Sequence, residues 1–363
     1  MTLKLRDSDE TLERAIDNLE SISEHTKKLY NTKLRTLPAA VLQATDKETT
    51  ILRCISRPIQ TYAALSSYRI RKGGKMVPMK PHTVHVTLSV VISIFKHFPE
   101  LAKIMPKNTR VMWLNTMEQT REAAIGKYDD LEPSQEQKDA YIPFERIIAK
   151  RDQLLKLKKP TPHQRTAALV LSLYSMFPPR RSQDWAVMSV LDKRKRADAA
   201  LLRQPTIDKQ FPNRIVIDRN GTDMTVVFNQ YKTAKKYGRQ EFPVPAQLAI
   251  VIRDSLEHAP RRYLFEHSKD AGTSLTPKRF SEVVNTVLKS QFADVKGSPT
   301  IAMLRHSYIV AANVGNLTPR VAMSLARQMG HSRMQQLTYA YIIDENEKDT
   351  DSGGVCQLTC KKS

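Results

Sequence analysis

Residues 326–342 read ARQMGHSRMQQLTYAYI. The segment begins inside a helix: Thr318-Pro319 starts it, the apolar positions of RVAMSLARQM carry it, and Gly330 closes it as a left-handed cap. His331 thereby stands at a tightly defined helix end, and Tyr339 and Tyr341 follow eight and ten residues later. Two positions apart on a helix face roughly 200° apart, so the two tyrosines cannot aim at one point.

Working outward, Arg305 lies early in the helical segment MLRHSYIV (303–310). Before it comes the clearest β signal of the chain, in which RIVID (214–218) and TVVFNQY (225–231) flank an Asn220-Gly221 turn. A third strand, QEFPV (240–244), follows the basic turn KTAKKYG, so Lys232 sits where a strand gives way to a turn, with Lys235 and Lys236 beside it. Further back, Thr161 is a capping hydroxyl and Pro162 a first helical residue. The helix HQRTAALVLSLYSMF stops at Pro178-Pro179, and Arg180, Arg181 and Asp184 stand just past the stop.

The first 130 residues read as an all-helical domain. Helices are expected over Thr26–Leu37, over Thr49–Arg69 with a break at Pro58, and over Thr83–Phe98, which Pro99 ends. Between the last two lies RIRKGGKMVPMKPH, expected as a loop broken by glycine and proline and carrying Arg69, Arg71, Lys72, Lys75 and Lys80. The polar stretch YDDLEPSQEQ (128–137) marks the boundary. The expected domains are residues 1–130, residues 131–342, and a polar tail over 343–363.

Composition points to the partner. Lys and Arg number 58 against 37 Asp and Glu, a formal net charge of +21. That excess calls for a polyanion, and nucleic acid is the first candidate. No apolar run approaches the length of a membrane span, and nothing resembles a signal peptide, so an intracellular, DNA-associated location (nucleus or nucleoid) is expected. Cys54, Cys356 and Cys360 are too scattered for a disulfide framework. Neither a phosphate-binding glycine loop nor a metal-ligand cluster is present, so no cofactor and no metal are expected.

Breaking a phosphodiester without a metal needs a nucleophile, cationic forks on the phosphate oxygens, and a proton for the departing 5′ oxygen. Tyrosine can attack phosphorus and store the bond as a covalent intermediate, once cationic neighbours activate a phenol that titrates near pH 10. Arg181, Lys232, Arg305, His331 and Tyr339 or Tyr341 supply those groups in order.

The segments PPRRSQDW (178–185), NQYKTAKKYG (229–238), MLRHSYIV and ARQMGHSRMQQLTYAYI resemble the motif boxes of the tyrosine recombinase/integrase family. Arg181 and Asp184 match its first box, Lys232 its strand-turn lysine, Leu304-Arg305-His306 its second box, and Gly330-His331-Ser332 its third. The resemblance covers roughly residues 135–342. It implies a mainly helical α+β fold with a small antiparallel sheet, in which a helical core-binding domain and a catalytic domain form a clamp on duplex DNA. It also implies strand cleavage and rejoining through a 3′-phosphotyrosine in a synaptic homotetramer, with Arg69, Arg71, Lys72, Lys75, Lys235 and Lys236 on DNA.

Two departures stand out. The family usually has His or Lys three residues before the second-box arginine, where this chain has Ala302. Its nucleophile commonly lies nine residues after the third-box histidine. Tyr339-Ala-Tyr-Ile resembles the family's Tyr-Thr-His-Val with one residue deleted, which puts Tyr339 ahead of Tyr341. A type IB topoisomerase uses the same residue kit, and a DNA-binding relative without catalysis is the third alternative, for which Ala302 speaks.

Overall fold

A buried helix organises the larger of two units. In the computed structural model, which describes residues 9–129, 133–267 and 270–337, the chain divides into residues 1–130 and 131–363. The protein is α+β, mainly helical with small sheets.

In the second unit, helix Pro162–Ser175 opens with a full capping box: the Thr161 hydroxyl accepts from the Gln164 amide, and the Gln164 side chain accepts from the Thr161 amide. Every residue from Ala167 to Tyr174 is buried, which is the pattern of a helix covered on all sides. Helices Phe144–Leu155, Ala246–His258, Pro277–Gln291 and Ile301–Ala311 pack around it.

The larger sheet of this unit has four strands in the order β3 (Ser189–Asp192), β4 (Asn213–Ile217), β5 (Met224–Phe228) and β6 (Gln240–Pro243). A two-stranded antiparallel pair, Glu266–His267 with Asp270–Ser274, follows it in the chain. The three strands expected from the sequence are β4, β5 and β6, and they pair antiparallel. The addition is β3, which pairs parallel with β4, so the sheet is mixed rather than antiparallel throughout. SVLD is four residues long and lies 20 residues before its partner, and so short an apolar run carries no periodicity of its own. A parallel pair needs a long crossover, here through helices Arg196–Leu201 and Ile207–Gln210.

The first unit has its own core, in which Leu34, Leu37, Ile51, Leu65, Leu88, Ile94 and Trp113 are fully or almost fully buried. Helix Glu24–Thr45 runs past the expected Leu37 and carries Pro38 inside it. Helices Ile51–Ser56 and Pro58–Ser67 meet at Pro58, and Pro81–His97 forms the apolar helix. One expectation is corrected here: this unit is not all-helical. RIRKGGKMVP folds into a ribbon, β1 (Arg69–Lys72) and β2 (Lys75–Pro78), joined by Gly73-Gly74. Those glycines adopt φ +57° and +81°, the two positive values that a two-residue hairpin turn requires. A pair of residues that reads as a helix breaker thus acts as a strand connector.

Candidate active site

Four of the five groups in the kit lie in the described part of the second unit. Helix Pro319–Gln328 ends in a Schellman motif: the Gly330 amide donates to Arg327 O at 3.0 Å and the His331 amide to Ala326 O at 3.1 Å. Gly330 takes φ +68° to make it. The motif fixes where His331 leaves the helix.

The Gly330 carbonyl is the junction of the site. It accepts from Arg181 Nη1 at 2.8 Å and from Thr233 Oγ1 at 3.1 Å. Arg181 comes from the loop after Pro179, and Thr233 follows Lys232 in the turn between β5 and β6. Arg305, on helix Ile301–Ala311, donates through Nη1 to Pro179 O at 2.7 Å and to Met329 O at 3.4 Å. Three segments far apart in sequence are thereby held together by guanidinium and hydroxyl donors on backbone carbonyls. Arg305 is buried, Arg181 is half-buried, and Lys232, Lys235 and Lys236 are exposed.

Below the junction lies a residue that sequence reasoning passed over. Arg180 is fully buried, its guanidinium 4.0 Å over the Phe228 ring and 5.2 Å from that of Tyr231. It donates to Gln240 of β6 and lies 3.7 Å from the Asp184 carboxylate. Burial pushes the Arg180 guanidinium down to about 10 and holds the Asp184 carboxyl above the usual carboxylate range, so desolvation outweighs the attraction between them. A Cβ on Gly330 would stand 2.9 Å from Arg180 Nη1, so the glycine backbone rests directly on this cation. The available signal was Arg180 four residues before Asp184, the spacing of a helical ion pair. A basic residue read locally, however, belongs on the surface.

Tyr231 packs beside Arg180 and donates its hydroxyl to Gly238 O at 2.6 Å, closing the base of the lysine turn. Tyr174 is fully buried, and burial raises its phenol well above the ordinary value. Neither phenol is placed to attack a substrate. Tyr339 and Tyr341 lie outside the described residues.

His331 is 2% exposed, and its imidazole is pushed down to about 3, first by burial and then by the Arg305 charge. It is therefore neutral at ordinary pH. Its Nδ1 meets the Ser332 carbonyl at 3.0 Å, which requires a proton on Nδ1 and leaves the lone pair on Nε2. His306 is buried within its helix, as a packing histidine is. Ala302 is exposed one helical turn before Arg305. Among the described residues no cluster of His, Cys, Asp and Glu could hold a metal, and no helix is long and apolar enough to cross a membrane.

No protein-family model and no curated protein matches the sequence. Among solved structures the chain is similar to a XerA recombinase, with 12% identity and a TM-score of 0.34 over 92% of this chain and 94% of that one. It is similar to a XerH site-specific recombinase bound to difH substrate in a pre-cleavage complex, with 12% identity and a TM-score of 0.38 over 97% and 100% of the two chains. The XerH post-cleavage complex with a palindromic difH substrate gives 10% identity and a TM-score of 0.41 over 93% and 95%.

Proposed function

We propose that the protein is a tyrosine-type site-specific DNA recombinase. The observation that carries the reading is the junction at Gly330, where the segments bearing Arg181, Lys232, Arg305 and His331 are fastened together. Arg181 and Arg305 grip the non-bridging oxygens of the scissile phosphate and stabilise the charge that grows there. The phenolic oxygen of Tyr339 attacks phosphorus and its proton passes to water, because an imidazole held at about 3, as that of His331 is, is too weak a base to take it. The phosphorus–O5′ bond breaks, and Lys232 donates a proton to the departing 5′ oxygen. One phosphodiester becomes a 3′-phosphotyrosine ester, so no external energy source is consumed and the reverse attack by a 5′ hydroxyl rejoins a strand. Exchange between two duplexes takes place in a homotetramer, with the exposed basic residues Arg69, Arg71, Lys72, Lys75, Lys235 and Lys236 on DNA. Cutting and rejoining of this kind serves a mobile element that integrates or excises.

The test uses a suicide duplex nicked next to the cleaved phosphate, drawn from a pool enriched for binding. Wild type is expected to retain 3′-linked label under denaturing conditions. Tyr339→Phe keeps the ring, loses the adduct and binds DNA as before. Peptide mapping that places the adduct on Tyr341 would move the nucleophile. Absence of any adduct despite tight binding would leave a DNA-binding protein. Exchange between two duplexes distinguishes a recombinase from a topoisomerase.

A further inference from the structure

The ribbon of the first unit is exposed along its length. From Arg69 to Pro78 every residue but half-buried Val77 is exposed, Ile70 and Met76 included, at 38% and 49%. A two-stranded hairpin without a covering layer is at best marginally stable in water. Among the described residues, its hydrogen bonds to the rest of the unit lie at its base. Gln43 brackets the Arg69 backbone, its Oε1 accepting from the amide at 2.8 Å and its Nε2 donating to the carbonyl at 3.2 Å, and the Met79 amide donates to Tyr68 O at 2.9 Å. The remainder projects as a free arm.

Its charges are set against its own stability. From Arg69 to Lys80 the sequence RIRKGGKMVPMK holds five basic residues and no acidic one. In the register of the pair, Lys72 lies directly opposite Lys75 at the last step before the Gly73-Gly74 turn. Like charges across a strand pair repel, and a polyanion between them relieves that repulsion. Arg69 and Arg71 share one face with Met76 and Pro78, while Ile70, Lys72, Lys75 and Val77 share the other. Four residues per strand give an arm of about 13 Å, and a two-stranded ribbon is a shape that the roughly 12 Å wide major groove of B-DNA admits.

We propose that β1 and β2 form a DNA-reading arm that enters the major groove of duplex DNA, with the Arg69–Arg71 face on base edges and Lys72 and Lys75 on phosphates. This rests on the DNA-binding reading above and adds how sequence is recognised. Arginine is the side chain that matches guanine O6 and N7 with two hydrogen bonds, whereas lysine near the turn contributes charge without sequence.

The full-length protein is used to select from a pool of randomised duplexes, in parallel with Arg71→Ala and Lys75→Ala, both at exposed positions. Wild type is expected to enrich a defined sequence. Arg71→Ala should lose about tenfold of the preference at one guanine, and N7 methylation of that guanine should block wild type but not the variant. Lys75→Ala should keep the sequence and weaken binding to every duplex alike. If Arg71→Ala selects the wild-type sequence at every position with the same methylation pattern, the arm does not read bases. If wild type retains no duplex at all, the DNA-binding reading itself falls, and the arm with it.

Discussion

Arg180 is the residue whose environment differs most from its local sequence. The guanidinium is enclosed by Phe228, Tyr231 and Phe242 and ion-paired to a carboxylate that is itself buried. Removing one partner leaves the other charge buried, which costs about 3–5 kcal/mol. Replacing both by apolar groups of similar volume is often near neutral. Arg180→Met should therefore be strongly destabilised in urea unfolding, and the double variant Arg180→Met/Asp184→Leu should recover most of that loss. A double variant as unstable as the single one would show that the cation's contacts to Gln240 and the aromatic rings matter more than the pair. His331 gives a pH prediction. Its folded pKa, about 3, lies below the unfolded value of about 6.5. The unfolded chain binds more protons between those values, so the contribution of His331 to stability is complete above about 6.5 and is lost as pH falls towards 3. Unfolding free energies at pH 5 and pH 7.5 should differ less in His331→Gln than in wild type. The cleavage rate should show no inflection from His331 between pH 6 and 8.

The end of helix Pro319–Gln328 shows how one element sets the site. Gly330 serves at once as left-handed cap, as acceptor for Arg181 and Thr233, and as the backbone that rests on Arg180. A side chain there meets the left-handed backbone cost of roughly 1–2 kcal/mol and a contact that is too short with a cation unable to retreat. Gly330→Ala should lower stability by at least that amount. At saturating DNA it should slow cleavage more than it weakens binding, as single-turnover rates against filter-binding affinities would read. Equal losses in rate and affinity would mean that the cap supports folding alone. The cap was legible in the sequence because a Schellman motif is local: glycine after the last periodic residue is enough. The β1–β2 ribbon was not, because Gly73-Gly74 beside prolines satisfies the rules for a loop and for a two-residue turn equally well. Only the pairing of its flanks decides between them.

For the whole molecule the excess charge makes a prediction independent of any single residue. If basic groups of both units meet backbone phosphates, the logarithm of affinity should fall linearly with the logarithm of salt concentration, with a slope near −0.9 per phosphate neutralised. Titrating one duplex across a range of salt measures it, and a slope near zero would sink the DNA reading. By itself the sequence determined what depends on neighbours in the chain: the Thr161-Pro162 start, strands β4 to β6, the Gly330 cap, and the order of arginine, lysine, arginine, histidine and tyrosine. Only the tertiary structure decided the parallel strand β3, the burial of Arg180, and the convergence of Arg181, Thr233 and Arg305 on the carbonyls around Gly330. The physical reason is range. Caps and short turns are set by hydrogen bonds within a few residues, whereas the guanidinium groups of Arg180, Arg181 and Arg305 are held by rings, an amide and carbonyls about 50 to 150 residues away, whose closeness exists only once the core has formed.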